Sequence, residues 1–128
     1  MNRVVLDASA ILAVINGEAG AEKLNSEVLA TAVCSTVNLA EVQAKLVGHG
    51  WQPHQAWEDA TGLIREATPF TEDQAKLTGD LIVQTRPLGL SLGDRACIAL
   101  GMALQALVFT AEQTWSKLRL GVSIHVIR

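Results

Sequence analysis

The chain has 128 residues, 49% of them hydrophobic and 18% charged, with a formal net charge of −3. That length suits a single domain over residues 1–128 with a sizeable core, and the apolar content excludes disorder. No apolar run reaches the roughly 18 residues a membrane span needs, and the N-terminus lacks the basic and apolar regions of a signal peptide.

Val4-Val5-Leu6 runs straight into Asp7 and reads as a short strand buried on both faces. Ile11, Leu12 and Ile15 then follow at helical spacing, so a helix begins just after the acid. Asn16-Gly17 breaks it, and Ala19 to Leu29 is predicted as a second helix. Thr31-Ala32-Val33-Cys34 is a second buried strand. Ser35 or Thr36 caps a third helix reaching about Gly48. After the turn at Trp51, a fourth helix starts at Pro53, which a first turn tolerates. Thr68-Pro69-Phe70 is predicted as an edge strand, because proline cannot donate to a ladder. Thr71-Glu72-Asp73-Gln74 opens a fifth helix through Val83, and Arg86 to Gly89 ends it. Ser91-Leu92-Gly93-Asp94 is a capping-box pattern before a long helix to Leu104. Leu107-Val108-Phe109 is a buried strand followed by a polar turn, then a short helix with Trp115 and Leu118. Val122 to Val126 alternates and closes the chain as a strand. Strands alternate with helices throughout, which implies an α/β fold with a mainly parallel sheet of about five strands and helices on both faces.

Four acids hold one kind of position. Asp7 ends the first strand, and Glu41 lies near the start of the helix after the second. Asp94 lies in the first turn of the long helix, and Glu112 follows the strand Leu107-Val108-Phe109. In a parallel sheet all strand ends point one way, so the four can meet at one edge. Each has a structural explanation alone: a cap for Asp7, half a capping box for Asp94, an acid at a helix's positive end for Glu41, a solvated turn for Glu112. Gathered together they repel by roughly 1–4 kcal/mol per close pair, and a cation relieves that. Oxygen donors without sulfur or imidazole select Mg²⁺ or Mn²⁺ over zinc, and such an ion can activate water against a phosphodiester. Thirteen acids face ten bases; with these four neutralised the rest nearly balance, so the net charge does not exclude a nucleic acid. Phosphate contacts are expected from Arg3, Arg86, Arg95 and Lys117, the bases nearest the acidic motifs in sequence. His49, His54 and His125 do not read as catalytic. Cys34 and Cys97 read as buried free thiols, as in a reducing cytoplasm.

Val5-Leu6-Asp7-Ala8-Ser9-Ala10-Ile11-Leu12-Ala13 resembles the opening of a PIN domain. Asn38-Leu39-Ala40-Glu41-Val42, Ser91 to Leu100 around Asp94, and Val108 to Trp115 around Glu112 are similar to that family's later motifs, in order along the whole chain. Among PIN domains it looks most like the VapC-type toxins of bacterial toxin–antitoxin pairs. The resemblance implies a PIN-like three-layer α/β/α sandwich. It implies an endoribonuclease that cleaves cellular RNA with Mg²⁺ or Mn²⁺ held by Asp7, Glu41, Asp94 and Glu112. It also implies a cytoplasmic homodimer neutralised by a small VapB-like antitoxin. The family's last acid is usually Asp; Glu112 is longer by one methylene, which implies contact with the metal through water or none at all. Ser9 and Thr110 match hydroxyls that support the site.

Two other readings compete. A receiver-type signalling domain has similar size and Mg²⁺ use, but no Asp follows the Val33-Cys34 strand and no acidic pair follows Leu6. A PIN domain that only binds, as an RNA-docking module or scaffold, is opposed by the intact Asp7, Glu41 and Asp94. Trp51 and Trp57 are either core aromatics or mark a groove between the third and fourth helices that takes an apolar helix from a partner.

Overall fold

The computed structural model describes residues 2–128. Five strands, β1 (Val4–Leu6), β2 (Ala32–Ser35), β3 (Glu66–Thr68), β4 (Leu107–Thr110) and β5 (Ile124–Val126), form one sheet in the order β3-β2-β1-β4-β5. Every pairing is parallel, with Val5 opposite Val33 on one side and Val108 on the other. Among the described residues seven α-helices accompany it: α1 (Ala8–Asn16), α2 (Ser26–Leu29), α3 (Thr36–Gly48), α4 (Pro53–Gly62), α5 (Glu72–Asp80), α6 (Ile82–Thr85) and α7 (Leu92–Leu104). The sheet is thus wholly parallel, and the layers are α/β/α. The first strand lies at the centre, whereas a receiver-type domain runs 2-1-3-4-5; that alternative is excluded by strand order.

The period-2 alternation of the strands divides the core. Leu6, Cys34 and Phe109 face one way, onto α1, α3 and α4 through Ile11, Leu39, Val42 and Ala56. Val5, Val33 and Val108 face the other, onto α7 and Trp115 through Cys97, Ile98 and Leu100. Val5 and Leu6 are fully buried, as a central parallel strand requires.

Several boundaries differ from the sequence reading. The second helix is not continuous. A 3₁₀ turn at Ala21–Lys23 gives way to the short α2, because the Asn25 side chain accepts from Val28 N at 3.0 Å and restarts the helix. The edge strand ends at Thr68 rather than starting there, since Pro69 has no N–H and restricts the residue before it. Phe70 N donates instead to Thr36 Oγ1 at 3.1 Å. The fifth helix breaks at Leu81 into α5 and α6. The last strand starts at Ile124, although the Ser123 carbonyl already accepts from Val108 N. The predicted caps are present: Ser35 accepts from Val37 N, and Thr71 accepts from Gln74 N.

Helix α7 lies close on the sheet because Gly101 has no side chain; a Cβ there would overlap Val108 Cγ2. Gly79, on exposed α5, has nothing within 4 Å of such a Cβ. Both replacements by alanine improve helix propensity by about 1 kcal/mol, yet we expect opposite outcomes in chemical denaturation. Gly79→Ala should stabilise the protein, and Gly101→Ala should destabilise it by about 1–3 kcal/mol through overpacking. Equal stabilisation by both would show that α7 and β4 are not in close contact.

Candidate active site

The chain leaves β1 toward β2 on one side and meets β4 on the other, so the end of β1 is a point where strand order reverses. Open α/β sheets place ligands in the crevice outside such strand ends. A cavity of about 280 Å³ lies there, lined by Asp7, Glu41, Asp94 and Glu112 with Ser9, Lys45 and Ser91. A larger cavity of about 560 Å³ lies at the amino ends of the strands, among Arg3, Thr31, Arg65 and Glu66. Its Arg3 and Glu66 are already paired with each other at 3.4 Å. Volume favours that second cavity, but the gathered chemistry is in the smaller one.

Asp7 is the most deeply placed acid, 2% exposed. Its backbone N–H continues the sheet to the Phe109 carbonyl. Oδ1 accepts from Ser9 Oγ at 2.7 Å and from Ala10 N at 3.0 Å, which makes it the N-cap of α1. Oδ2 accepts from the buried Thr110 Oγ1 at 3.0 Å. The same two hydroxyls also accept, Ser9 from Ala111 N and Thr110 from Glu112 N. The turn that carries Glu112 is therefore tied to Asp7. Burial pushes the Asp7 carboxyl up from 3.8 to about 7; its three hydrogen bonds pull the other way, and the charge of Asp94 adds to the rise.

Glu41 is half-buried on α3, and its Oε1 accepts from Asn38 Nδ2 at 2.9 Å. Its carboxylate lies against Gly93 in the first turn of α7, where a Cβ would overlap it. Asp94 is the next residue. It forms a complete capping box with Ser91: Asp94 Oδ2 accepts from Ser91 N at 2.9 Å, and Ser91 Oγ accepts from Asp94 N at 3.1 Å. Glu112 is exposed at the rim and its side chain caps no helix. Asp7 and Asp94 are thus helix caps and cavity walls together.

The bases are placed otherwise than sequence proximity suggests. Arg3 lies at the opposite end of the sheet on Glu66, and Arg95 Nη1 donates to the Thr78 carbonyl at 3.0 Å. Arg86 and Lys117 are exposed and do not line the cavity. The base that does is Lys45, exposed on α3 one turn beyond Glu41; the i, i+4 spacing was the signal for it. No histidine lines the cavity; His54 faces Glu58 on α4 and His125 stacks on Phe109 at 5.0 Å. Cys34 and Cys97 are buried free thiols whose burial pushes both thiol pKa values up, away from reactivity.

Among the described residues no three acid, histidine or cysteine side chains converge into a ready-made metal cage. The donor set still fits a hard divalent cation. Every donor is oxygen, and Mg²⁺ keeps several waters while taking only one or two carboxylates from the protein. A nearby cation would also relieve Asp7, whose charge is held back by burial and by the charge of Asp94.

A model of the PIN domain matches residues 4–120. The chain belongs to the PIN-domain family. No curated protein matches its sequence, but several solved structures share this PIN fold. VapBC2 of Rickettsia felis, bound to a promoter DNA fragment, is 20% identical with a TM-score of 0.72, covering 95% of this chain and 96% of that one. The DNA-bound VapBC of Salmonella typhimurium is 14% identical with a TM-score of 0.73, covering 98% of each chain. VapC20 of Mycobacterium tuberculosis, a toxin that cleaves the sarcin–ricin loop, is 16% identical with a TM-score of 0.70, covering 91% and 96%. No helix of the described residues is long and apolar enough to cross a membrane.

The raised Asp7 pKa fixes the sign of a pH effect in this PIN domain. The unfolded carboxyl titrates near 3.8 and the folded one near 7. The contribution of Asp7 to stability is therefore complete below about pH 4 and is lost as pH rises to about 7, by roughly 4 kcal/mol at most. Asp7→Asn keeps the shape, with Nδ2 turned toward Thr110 Oγ1, and removes that loss. Thermal melts in EDTA should show the variant more stable than wild type at pH 7.5, with the gap closing toward pH 4.5. A gap independent of pH would show that Asp7 is ionised in the fold at no cost.

Proposed function

We propose that this PIN domain is a metal-dependent endoribonuclease of the VapC toxin type. The observation that carries the reading is the single cavity at the carboxyl ends of β1 and β4 that Asp7, Glu41, Asp94 and Glu112 all line. Asp7, Glu41 and Asp94 would hold Mg²⁺ or Mn²⁺, with Asp7 the most rigidly placed because the sheet positions it. Glu112, longer and at the rim, would act through water. A bound ion of this kind neutralises phosphate charge and lowers the pKa of water.

The chain's own groups account for the rest. Lys45, the one base of the cavity, would take a non-bridging phosphate oxygen and set the backbone's position. The Ser9 and Thr110 hydroxyls keep the Asp7 oxygens aimed and the Glu112 turn in place. No histidine is there to take a proton from a ribose 2′-hydroxyl, so water is the nucleophile, and products carry a 5′-phosphate and a 3′-hydroxyl. RNA as the substrate class is supported by likeness to VapC20, whose target is the sarcin–ricin loop.

A small VapB-like antitoxin is the partner that the fold's likeness to VapBC complexes supports. A third cavity of about 380 Å³, lined by Val14, Ile15, Trp51 and Leu63 with Glu58 and Asp59, runs between α1 and α4 rather than between α3 and α4 as expected. It suits the apolar face of a helix with basic flanks. Trp51 is partly buried along it and Trp57 is 40% exposed. An antitoxin arginine reaching the four acids would pair with them and exclude the metal. The toxin itself is proposed to be a homodimer in the cytoplasm.

The test is cleavage of a structured RNA by purified protein at saturating Mg²⁺. Asp7→Asn and Asp94→Asn should abolish cleavage, Glu112→Gln should reduce it less than Asp94→Asn does, and EDTA should stop it. Co-expression with the reading frame upstream of the gene should yield an inactive complex with altered tryptophan fluorescence. Products ending in 2′,3′-cyclic phosphate, or full activity of Asp7→Asn, would contradict the mechanism. A protein that binds RNA and never cuts it would establish the scaffold reading instead.

A further inference from the structure

Asn38 is 1% exposed and lies one helical turn before Glu41 on α3. Its Nδ2 donates to two acceptors at once, Glu41 Oε1 at 2.9 Å and the Gly93 carbonyl oxygen at 3.0 Å. A carboxylate and a carbonyl only accept, so the NH₂ end of the amide must be the end that faces them. This leaves Asn38 Oδ1 buried with no partner. Burying that oxygen unpaired costs stability, and the two hydrogen bonds that Nδ2 donates, one of them to a carboxylate, offset it.

Gly93 supplies the other half of the arrangement. It is buried in the first turn of α7, and a Cβ built on it would overlap the Glu41 carboxylate. The carboxylate therefore lies directly on bare α7 backbone, beside Asp94. One amide thus joins the helix that carries Glu41 to the turn that carries Asp94. The capping box with Ser91 holds Asp94 from its far side.

We propose that Asn38 is a positioning residue. With the bare backbone of Gly93 it fixes the Glu41 carboxylate against the α7 turn, and so sets the spacing at which Glu41 and Asp94 present their oxygens to a divalent cation. The proposal rests on the metal-site reading above. Glu41 is a long side chain with three torsions, half-exposed at the cavity wall, and without the Asn38 amide it is free to turn into solvent. Partners that orient a ligating carboxylate govern metal affinity even though they never touch the metal.

The experiment is a Mn²⁺ titration of the purified metal-free protein, with the free ion read by electron paramagnetic resonance and folding checked by circular dichroism. Asn38→Ala should weaken Mn²⁺ binding by about tenfold or more. Glu41→Gln should weaken it as well. The double variant should bind no more weakly than Glu41→Gln alone, because Asn38 acts through Glu41. Gly93→Ala displaces the carboxylate from the opposite side while keeping Asn38, and should give a similar loss; it carries the test if Asn38→Ala does not fold. Losses that add in the double variant, or wild-type affinity in both Asn38→Ala and Gly93→Ala, overturn the proposal. Wild-type uptake that Asp7→Asn abolishes, with both positioning variants unaffected, keeps the metal site and removes only the role of Asn38. A wild-type protein that takes up no Mn²⁺ overturns both.

Discussion

The carboxylate of Asp7, buried at the end of the central strand and held by three hydrogen bonds, organises everything around it. Because β1 is covered on both faces, Asp7 has no freedom to move away from its low-dielectric surroundings. The fold supplies donors instead: Ser9 Oγ and Ala10 N to one oxygen, Thr110 Oγ1 to the other. These are not enough to restore an ordinary carboxylate pKa, which burial raises to about 7. A protein folded for stability alone gains from an apolar or amide group here. The retained acid is understandable where a cation completes its environment, and the oxygen-only chemistry of the cavity matches that requirement.

The remaining acids reach Asp7 through helix beginnings. Asp7 caps α1, Asp94 closes the capping box of α7, and Glu41 lies on the first turn of α7 from across α3. The positive end of a helix favours negative charge by a few tenths of a kcal/mol to about 1 kcal/mol. That offsets part of the repulsion among acids gathered in one crevice. The same N–H groups and hydroxyls that end the helices also aim the carboxylates, so local folding and the shape of the site are one set of contacts. Glu112 is the exception. It reaches the cavity from a turn after β4, placed by backbone hydrogen bonds: its N–H donates to Thr110 Oγ1, its carbonyl accepts from Trp115 N, and the neighbouring Ala111 N donates to Ser9 Oγ.

Much of this was legible in the sequence where one physical signal dominated. The apolar run into Asp7, the Ser91–Asp94 box and the run into Thr110 fixed the central strands and α7, and parallel topology then brought the four acids to one edge. The errors come where signals compete. Pro69 was read as marking an edge strand, but its missing N–H ends that strand one residue earlier. Apolar spacing in 19–29 suggested one helix, and the Asn25 cap divides it. Sequence distance places Arg3 and Arg95 beside the acids; the fold commits them to Glu66 and Thr78. Lys45 lines the cavity instead, and its helical spacing from Glu41 points it there. Contacts between α3 and α7, through Asn38 and Gly93, have no sequence signature because 55 residues separate the partners.

The decisive property of the crevice at Asp7 is whether it holds a divalent cation. The most direct measurement is anomalous X-ray scattering from crystals of this protein grown with Mn²⁺. It should show a peak in the cavity between β1 and α7, within bonding distance of an Asp7 oxygen and of Glu41 or Asp94. A saturated crystal with no anomalous peak in that cavity, or with its peak only at the Arg3–Glu66 end of the sheet, would contradict it.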